Sequence, residues 1–180
     1  MSSADPIESL LARVALGDRG AFELLYQRTS AKLFGVCLRI LSERAEAEEA
    51  LQEAYVKIWR NAAQYSQARA GAISWLAAIA RNQSIDRLRA RRLGAEDIDA
   101  AADIGDSRPS PEAEVVAAAD RRLLHDCLDE LDGSHAAAIR AAYFGGYTYE
   151  ELARRNAMPL GTIKSWIRRG LAKLRDCLER

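Results

Sequence analysis

Seven lysines and arginines and no acid lie between Arg154 and Arg175, in a chain whose 26 basic and 26 acidic side chains cancel. Lysine neutralises phosphate and arginine pairs bidentately with guanine, so such a run suits DNA. A second cationic run, Arg81 to Arg92, holds five arginines against one aspartate, with Asn82 near its start and Ser84 close by. A basic stretch carrying a polar amide suits single-stranded or duplex DNA; the bland alternative is a solubilising helix end. Opposite in sign, Glu46, Glu49 and Glu53 stand three and four residues apart with Gln52 alongside. On a helix these acids share one face, which is either solvated or presented to a basic partner.

Chemistry of the catalytic kind is not indicated. The sequence offers no nucleophile–base pair, no phosphate-binding glycine loop and no metal-ligand cluster, so neither an enzyme nor a cofactor is expected. Cys37, Cys127 and Cys177 stand far apart without a C-x-x-C spacing, and reduced, structural thiols are expected. His125 and Cys127, two residues apart, point to different sides of a helix and make a poor ligand pair.

The elements that must position these residues read as helices throughout. Alanine, leucine, arginine and glutamate dominate, and no alternating β-branched run appears. Asp5, Pro6 and Glu8 predict an N-cap with a capping-box partner and a first helix over about 6–16, ended by Gly17. A second helix begins near Gly20, with Phe22, Leu25, Thr29, Leu33, Val36 and Ile40 at spacings of three and four. A third, about 44–63, aligns Ala47, Leu51, Tyr55, Ile58 and Ala62, and a fourth, about 72–92, places Ile73, Leu76, Ile79 and Ile85 inside.

From Gly94 to Glu114 the composition shifts to Asp, Ala, Gly, Ser and two prolines, as in an extended linker. Charge follows the same division. Residues 1–92 carry 14 basic and 10 acidic side chains, 93–114 carry Arg108 against seven acids, and 115–180 carry 11 against 9. The expected organisation is all-α: a helical domain at 1–92, a flexible acidic linker at 93–114, and a second helical domain at 115–180. With no signal peptide or long apolar run, a cytoplasmic protein with no membrane insertion is expected.

The second domain carries the sharper motif. Thr148 and Glu151 form a capping box opening a short helix, and Asn156 to Gly161 form a turn. A longer helix follows, with Ile163, Ile167, Leu171, Leu174 and Leu178 expected as its core stripe and Lys164, Ser165, Arg168 and, partly, Arg169 on the opposite face. That is helix-turn-helix geometry, in which the second helix reads bases in the major groove. Trp166 is expected to pack on the domain's flank rather than stack on a base.

Taken together, these residues resemble the extracytoplasmic-function (ECF) sigma factors of RNA polymerase, of the sigma-70 superfamily, over nearly the whole chain. The similarity lies in Ala47-Glu48-Glu49-Ala50-Leu51-Gln52-Glu53-Ala54-Tyr55-Val56-Lys57-Ile58-Trp59, in Trp75 through Asn82, in Gly145 to Ala153, and in Pro159 to Ser165. The resemblance implies that 1–92 is sigma domain 2 and 115–180 is sigma domain 4. It implies that Glu49, Gln52 and Glu53 dock on the clamp helices of the polymerase β′ subunit, with Trp59 inward, and that the β flap is a further polymerase contact. It gives Asn82 to a flipped minus-10 base, and Arg81, Arg87 and Arg89 to the minus-10 backbone; extraction of a base costs a few kcal/mol, so nearby cations are needed. Lys164, Ser165, Arg168 and Arg169 fall to the minus-35 element. An anti-sigma factor is implied as a regulatory partner.

This sequence departs from the family in having Ala50 for a usual leucine, Glu49 for a frequent aspartate, Asp132 for a proline and Trp166 for an arginine. The competing reading is a stand-alone helix-turn-helix regulator, which would need no acidic Gln-Glu helix and would usually dimerise on a palindrome. An adaptor or anti-sigma protein would need no recognition helix.

Overall fold

In the computed structural model, which describes residues 5–94, 123–124 and 126–180, every regular element among the described residues is helical. The chain divides into two compact units, Met1–Ser107 and Arg108–Arg180. In the first, α1 (Ile7–Ala15), α2 (Arg19–Leu41), α3 (Arg44–Asn61) and α4 (Ala72–Gly94) pack together, with a short 3-10 turn at Ala62–Gln64. The second holds α5 (Gly133–Tyr143), α6 (Tyr149–Arg155) and α7 (Leu160–Leu178), preceded by helical residues 126–129. The acidic linker and the expected restart of helix near Val115 lie, apart from Leu93 and Gly94, outside the described residues.

The first unit starts differently from the sequence reading. Pro6, not Asp5, occupies the N-cap of α1 and makes no side-chain cap bond. Asp5 instead meets Arg13 at 3.0 Å, and Arg13 also binds Asp18 at 2.7 Å. A full cation draws the carboxylate more strongly than a backbone N–H does. Gly17, at φ +83°, ends the helix in the left-handed region that glycine enters without strain. Asp18 then caps α2, accepting from the Ala21 N–H at 3.0 Å.

The core lies where α2, α3 and α4 meet. Leu25, Leu33, Leu41, Ile58 and Leu76 are fully buried there, with Ala47, Ala50, Ala54 and Ala80 lining the helix contacts. Small side chains let the helices approach closely, which accounts for Ala50 in place of the larger leucine. One polar pair crosses this core. The Thr29 hydroxyl donates to the Leu25 carbonyl at 2.7 Å and lies 2.6 Å from the Tyr55 hydroxyl. Thr29 has a single proton, so with that proton on Leu25 it is Tyr55 that donates to Thr29. Burial pushes the Tyr55 phenol up to about 12.

The second unit closes around Leu128, Leu131, Ile139, Leu152, Ile163 and Ile167. Asp132 caps α5, accepting from the Ser134 N–H at 3.1 Å. The departure from proline at this position is therefore a working cap. The expected core stripe of α7 holds at Ile163, Ile167 and, half-buried, at Leu174, but not at Leu171 and Leu178. Ile163 and Ile167 are buried, but Leu171 and Leu178 are 46% and 41% exposed, and the inward positions are Gly170 and Cys177. The cause is the crossing with α5. A Cβ on Gly170 would lie 2.6 Å from Ile139 Cδ1 and 3.3 Å from His135 Cβ, so α5 approaches the bare backbone of α7.

Cys127 and Cys177 are joined by a disulfide, with their Cα atoms 5.8 Å apart. This corrects the expectation of reduced thiols for these two. No local spacing marks this pair, which stands 50 residues apart and is brought together by the helical turn at 126–129 and the last turn of α7. Cys37 is free and buried, its thiol pushed up by desolvation.

Two outcomes follow for stability. Tyr55→Phe leaves Thr29 bonded to Leu25 and is expected to cost about 1 kcal/mol at neutral pH. Because the folded phenol titrates near 12 and an unfolded one near 10, its stabilising contribution is complete below about pH 10 and declines up to about pH 12. The gap between wild type and variant in denaturant melts should therefore narrow over that interval; a gap that is flat across it would refute the assignment. For the second unit, closing a 50-residue loop by the disulfide contributes about 4 kcal/mol on the loop-entropy account. Reduction, or Cys177→Ser, should deprotect α5 and α7 amides in hydrogen exchange on the full chain and leave α2 and α3 unchanged. Equal α5 and α7 protection with and without reductant would show that the bridge contributes nothing.

Candidate polymerase and promoter interfaces

In α3 the buried face of Ala47, Leu51, Ala54, Tyr55 and Ile58 forces the intervening residues outward. Glu49, Gln52 and Glu53 are exposed, as the sequence reading places them, and Glu46 is half-buried beside them. Trp59 is half-buried, its ring 5.1 Å from that of Phe22 in an edge-on contact. The acids are not an isolated ridge. The guanidinium of Arg87 on α4 reaches Glu46 at 3.1 Å, Glu49 at 2.5 Å and Glu53 at 3.1 Å. The Arg87 side chain is only 20% exposed, against 34%, 63% and 47% for its three partners. The hydrogen bonds that Arg87 donates to the carboxylates, Glu46 foremost, hold it above the usual guanidinium range. Gln83, one turn earlier on α4 and buried, donates its amide to the second oxygen of Glu53.

On α4 the other assigned residues separate by direction. Asn82 and Arg89 are exposed and Arg81 is half-buried. Arg81 donates to the Asn82 side-chain carbonyl at 3.0 Å, which fixes the amide's orientation. Ser84, noted in the sequence beside Asn82, is fully buried, and its hydroxyl donates to the Ala80 carbonyl at 2.8 Å. It belongs to the core and is not presented with Asn82. The structure thus brings Arg87 together with Glu49 and Glu53, and turns it away from Asn82 and Arg89. Sequence reasoning missed this pairing and Gln83. The available signal was spacing: Leu76, Ala80, Gln83, Ser84 and Arg87 recur at three and four along the side of α4 that faces its neighbours.

In the second unit the expected helix-turn-helix is present. Thr148 accepts from the Glu151 N–H at 3.1 Å while Glu151 accepts from the Thr148 N–H at 2.6 Å, which completes the capping box of α6. Ala157, at φ +49°, turns the chain, and the Met158 N–H donates to the Ala153 carbonyl at 2.9 Å. Leu152 of α6 and Ile163 and Ile167 of α7 lock the two helices against one core. Lys164, Arg168 and Arg169 are exposed and Ser165 is half-buried, one surface near the start of α7. Trp166 is half-buried against that core, 6.1 Å from the His135 ring, which agrees with its expected place on the flank. Arg155 donates to the Tyr147 hydroxyl at 3.1 Å and stacks over its ring. That contact tethers a cation at the end of α6.

No group of His, Cys, Asp and Glu suited to a metal ion occurs among the described residues. Nor is any described helix long and apolar enough to cross a membrane.

Comparison with known proteins gives this arrangement a family. Residues 25–93 match Sigma-70 region 2 and residues 127–176 match Sigma-70, region 4. Across 185 residues the chain is 35% identical to the ECF RNA polymerase sigma factor SigK of Mycobacterium ulcerans strain Agy99, covering 98% of this chain and 95% of that one. It is 36% identical over 182 residues to the SigK of Mycobacterium tuberculosis strain H37Rv, covering 96% and 94%. A solved structure of Rhodobacter sphaeroides SigE, in complex with the anti-sigma ChrR, is 29% identical over 97% of this chain and 99% of that one, with a TM-score of 0.48. The chain belongs to the ECF sigma factors of RNA polymerase, within the sigma-70 superfamily. Its function is that of the family, promoter-specific initiation of transcription.

Proposed function

We propose that α3 docks the factor on core RNA polymerase, that α4 engages the minus-10 element, and that α7 engages the minus-35 element. The observation that carries this reading is the separation of charge. Carboxylates and an amide line the outward face of α3, while exposed cations gather at the start of α7. Glu49, Gln52 and Glu53 are the polymerase-facing residues, meeting the β′ clamp helices, and the β flap is a further polymerase contact. Asn82, already oriented by Arg81, takes the extracted minus-10 base, and Arg89 joins Arg81 on the backbone. Lys164, Ser165, Arg168 and Arg169 meet the minus-35 duplex, where the N-terminal end of α7 adds its positive dipole to the cations. The factor acts by binding and not by catalysing a reaction, and it works in the cytoplasm. An anti-sigma factor holds it inactive, a role carried over from the family resemblance.

The test pairs two variants of the full chain. Glu49→Lys with Glu53→Lys should weaken core-polymerase binding at least tenfold, since like charges then face the partner's cations. Arg168→Ala should leave core binding intact. It should weaken holoenzyme binding to promoter DNA and, if its contact is to phosphate, reduce the slope of log affinity against log salt by about 1. A charge reversal on α3 that leaves core binding unchanged would reduce the reading to that of a DNA-binding protein without polymerase.

A further inference from the structure

A guanidinium four-fifths buried among three carboxylates is badly placed to meet DNA, and Arg87 is such a group. Moving it to a phosphate would break three ion pairs and leave Glu46, the least exposed of the three acids, without its cation. From the geometry we infer that Arg87 is a positioning residue for the polymerase-facing ridge, not a contact to the minus-10 backbone. This rests on the assignment of α3 to polymerase.

Glu46, Glu49 and Glu53 are spaced three and four apart, so they rise along one side of α3, and a single planar fork spans them. Arg87 takes one oxygen from each. Without it, three long side chains would sample many rotamers and repel one another. With it they are ordered before the partner arrives, so less conformational freedom is lost on docking. The same contacts rank the acids. Glu53 is held on both oxygens, by Arg87 on one and by Gln83 on the other, and so serves mainly to anchor the cluster. Glu49 meets Arg87 through one oxygen, and its side chain is the most exposed of the three. It is the acid most fully presented to the partner.

Gln83 and Arg87 are one turn apart on α4, which is also the helix that carries Asn82 and Arg89. One side of α4 therefore braces α3 while another faces outward. A disturbance of Arg87 should be felt in polymerase affinity first.

The experiment uses the full chain with Arg87→Met, which keeps the packed stem and removes the fork, and Arg87→Lys, which keeps the charge but not the three-way span. Core-polymerase affinity is measured for each, together with the thermal midpoint and the salt slope of promoter binding at saturating core. Arg87→Met should weaken core binding about tenfold, Arg87→Lys should recover part of that loss, and the salt slope should not change for either. Unchanged core affinity with a salt slope reduced by about 1 would restore Arg87 to the DNA backbone and overturn the inference. A lowered midpoint with unchanged core affinity would overturn it too, by leaving Arg87 a purely structural residue. If Glu49→Lys also leaves core binding unchanged, the assignment of α3 itself has failed; if Glu49→Lys weakens it and Arg87→Met does not, only the role of Arg87 has.

Discussion

The carboxylates of α3 and the cations of α4 belong to helices packed against each other, and their charges must be reconciled at that contact before either helix can meet a partner. Arg87 does this by turning inward to Glu46, Glu49 and Glu53. The exposed arginines of α4 lie elsewhere on the same helix, and the outermost carboxylate of α3 still faces solvent. The apolar packing beneath sets the spacing. Alanines at 47, 50, 54 and 80 bring the helices close enough for a guanidinium on one to reach three acids on the other.

That arrangement sits on a core that tolerates few polar atoms. Tyr55 donates to Thr29 and Thr29 to the Leu25 carbonyl inside it, and the Ser84 hydroxyl donates to the Ala80 carbonyl of its own helix. Gln83 is less complete, since its side-chain oxygen is buried without a hydrogen-bond partner among the described residues. A buried acceptor left in this state carries a desolvation cost. It is borne next to the acid cluster that Gln83 helps to hold.

Much of this was legible in the sequence, because helical periodicity and capping chemistry are local signals. The extents of α2, α3, α4 and α7, the capping box at Thr148 and the exposure of Lys164 and Arg168 all follow from residues within a turn or two of one another. The failures share a different character. Asp5 was drawn from its cap by Arg13, eight residues on. The inward face of α7 was shifted by a crossing at Gly170, and Cys177 found Cys127 fifty residues away. The ion pairs of Arg87 with Glu46, Glu49 and Glu53 were not visible either, because the acids stand on another helix. For Gly170, Cys177 and Arg87 the deciding contact is tertiary, and for Asp5 it lies more than two turns along the chain, so no short-range pattern encodes it.

Gly170 has a consequence for how α7 would meet a base pair. A helix advances about 100° per residue, so the side opposite Gly170 is occupied by Arg168, about 160° round the axis. The missing Cβ lets α5 seat directly on the α7 backbone, and a rotation of α7 by one residue would drive a side chain into Ile139. The contact acts as an indexing notch. It sets the phase of the helix about its own axis, and with it which side chains α7 presents on the side away from α5.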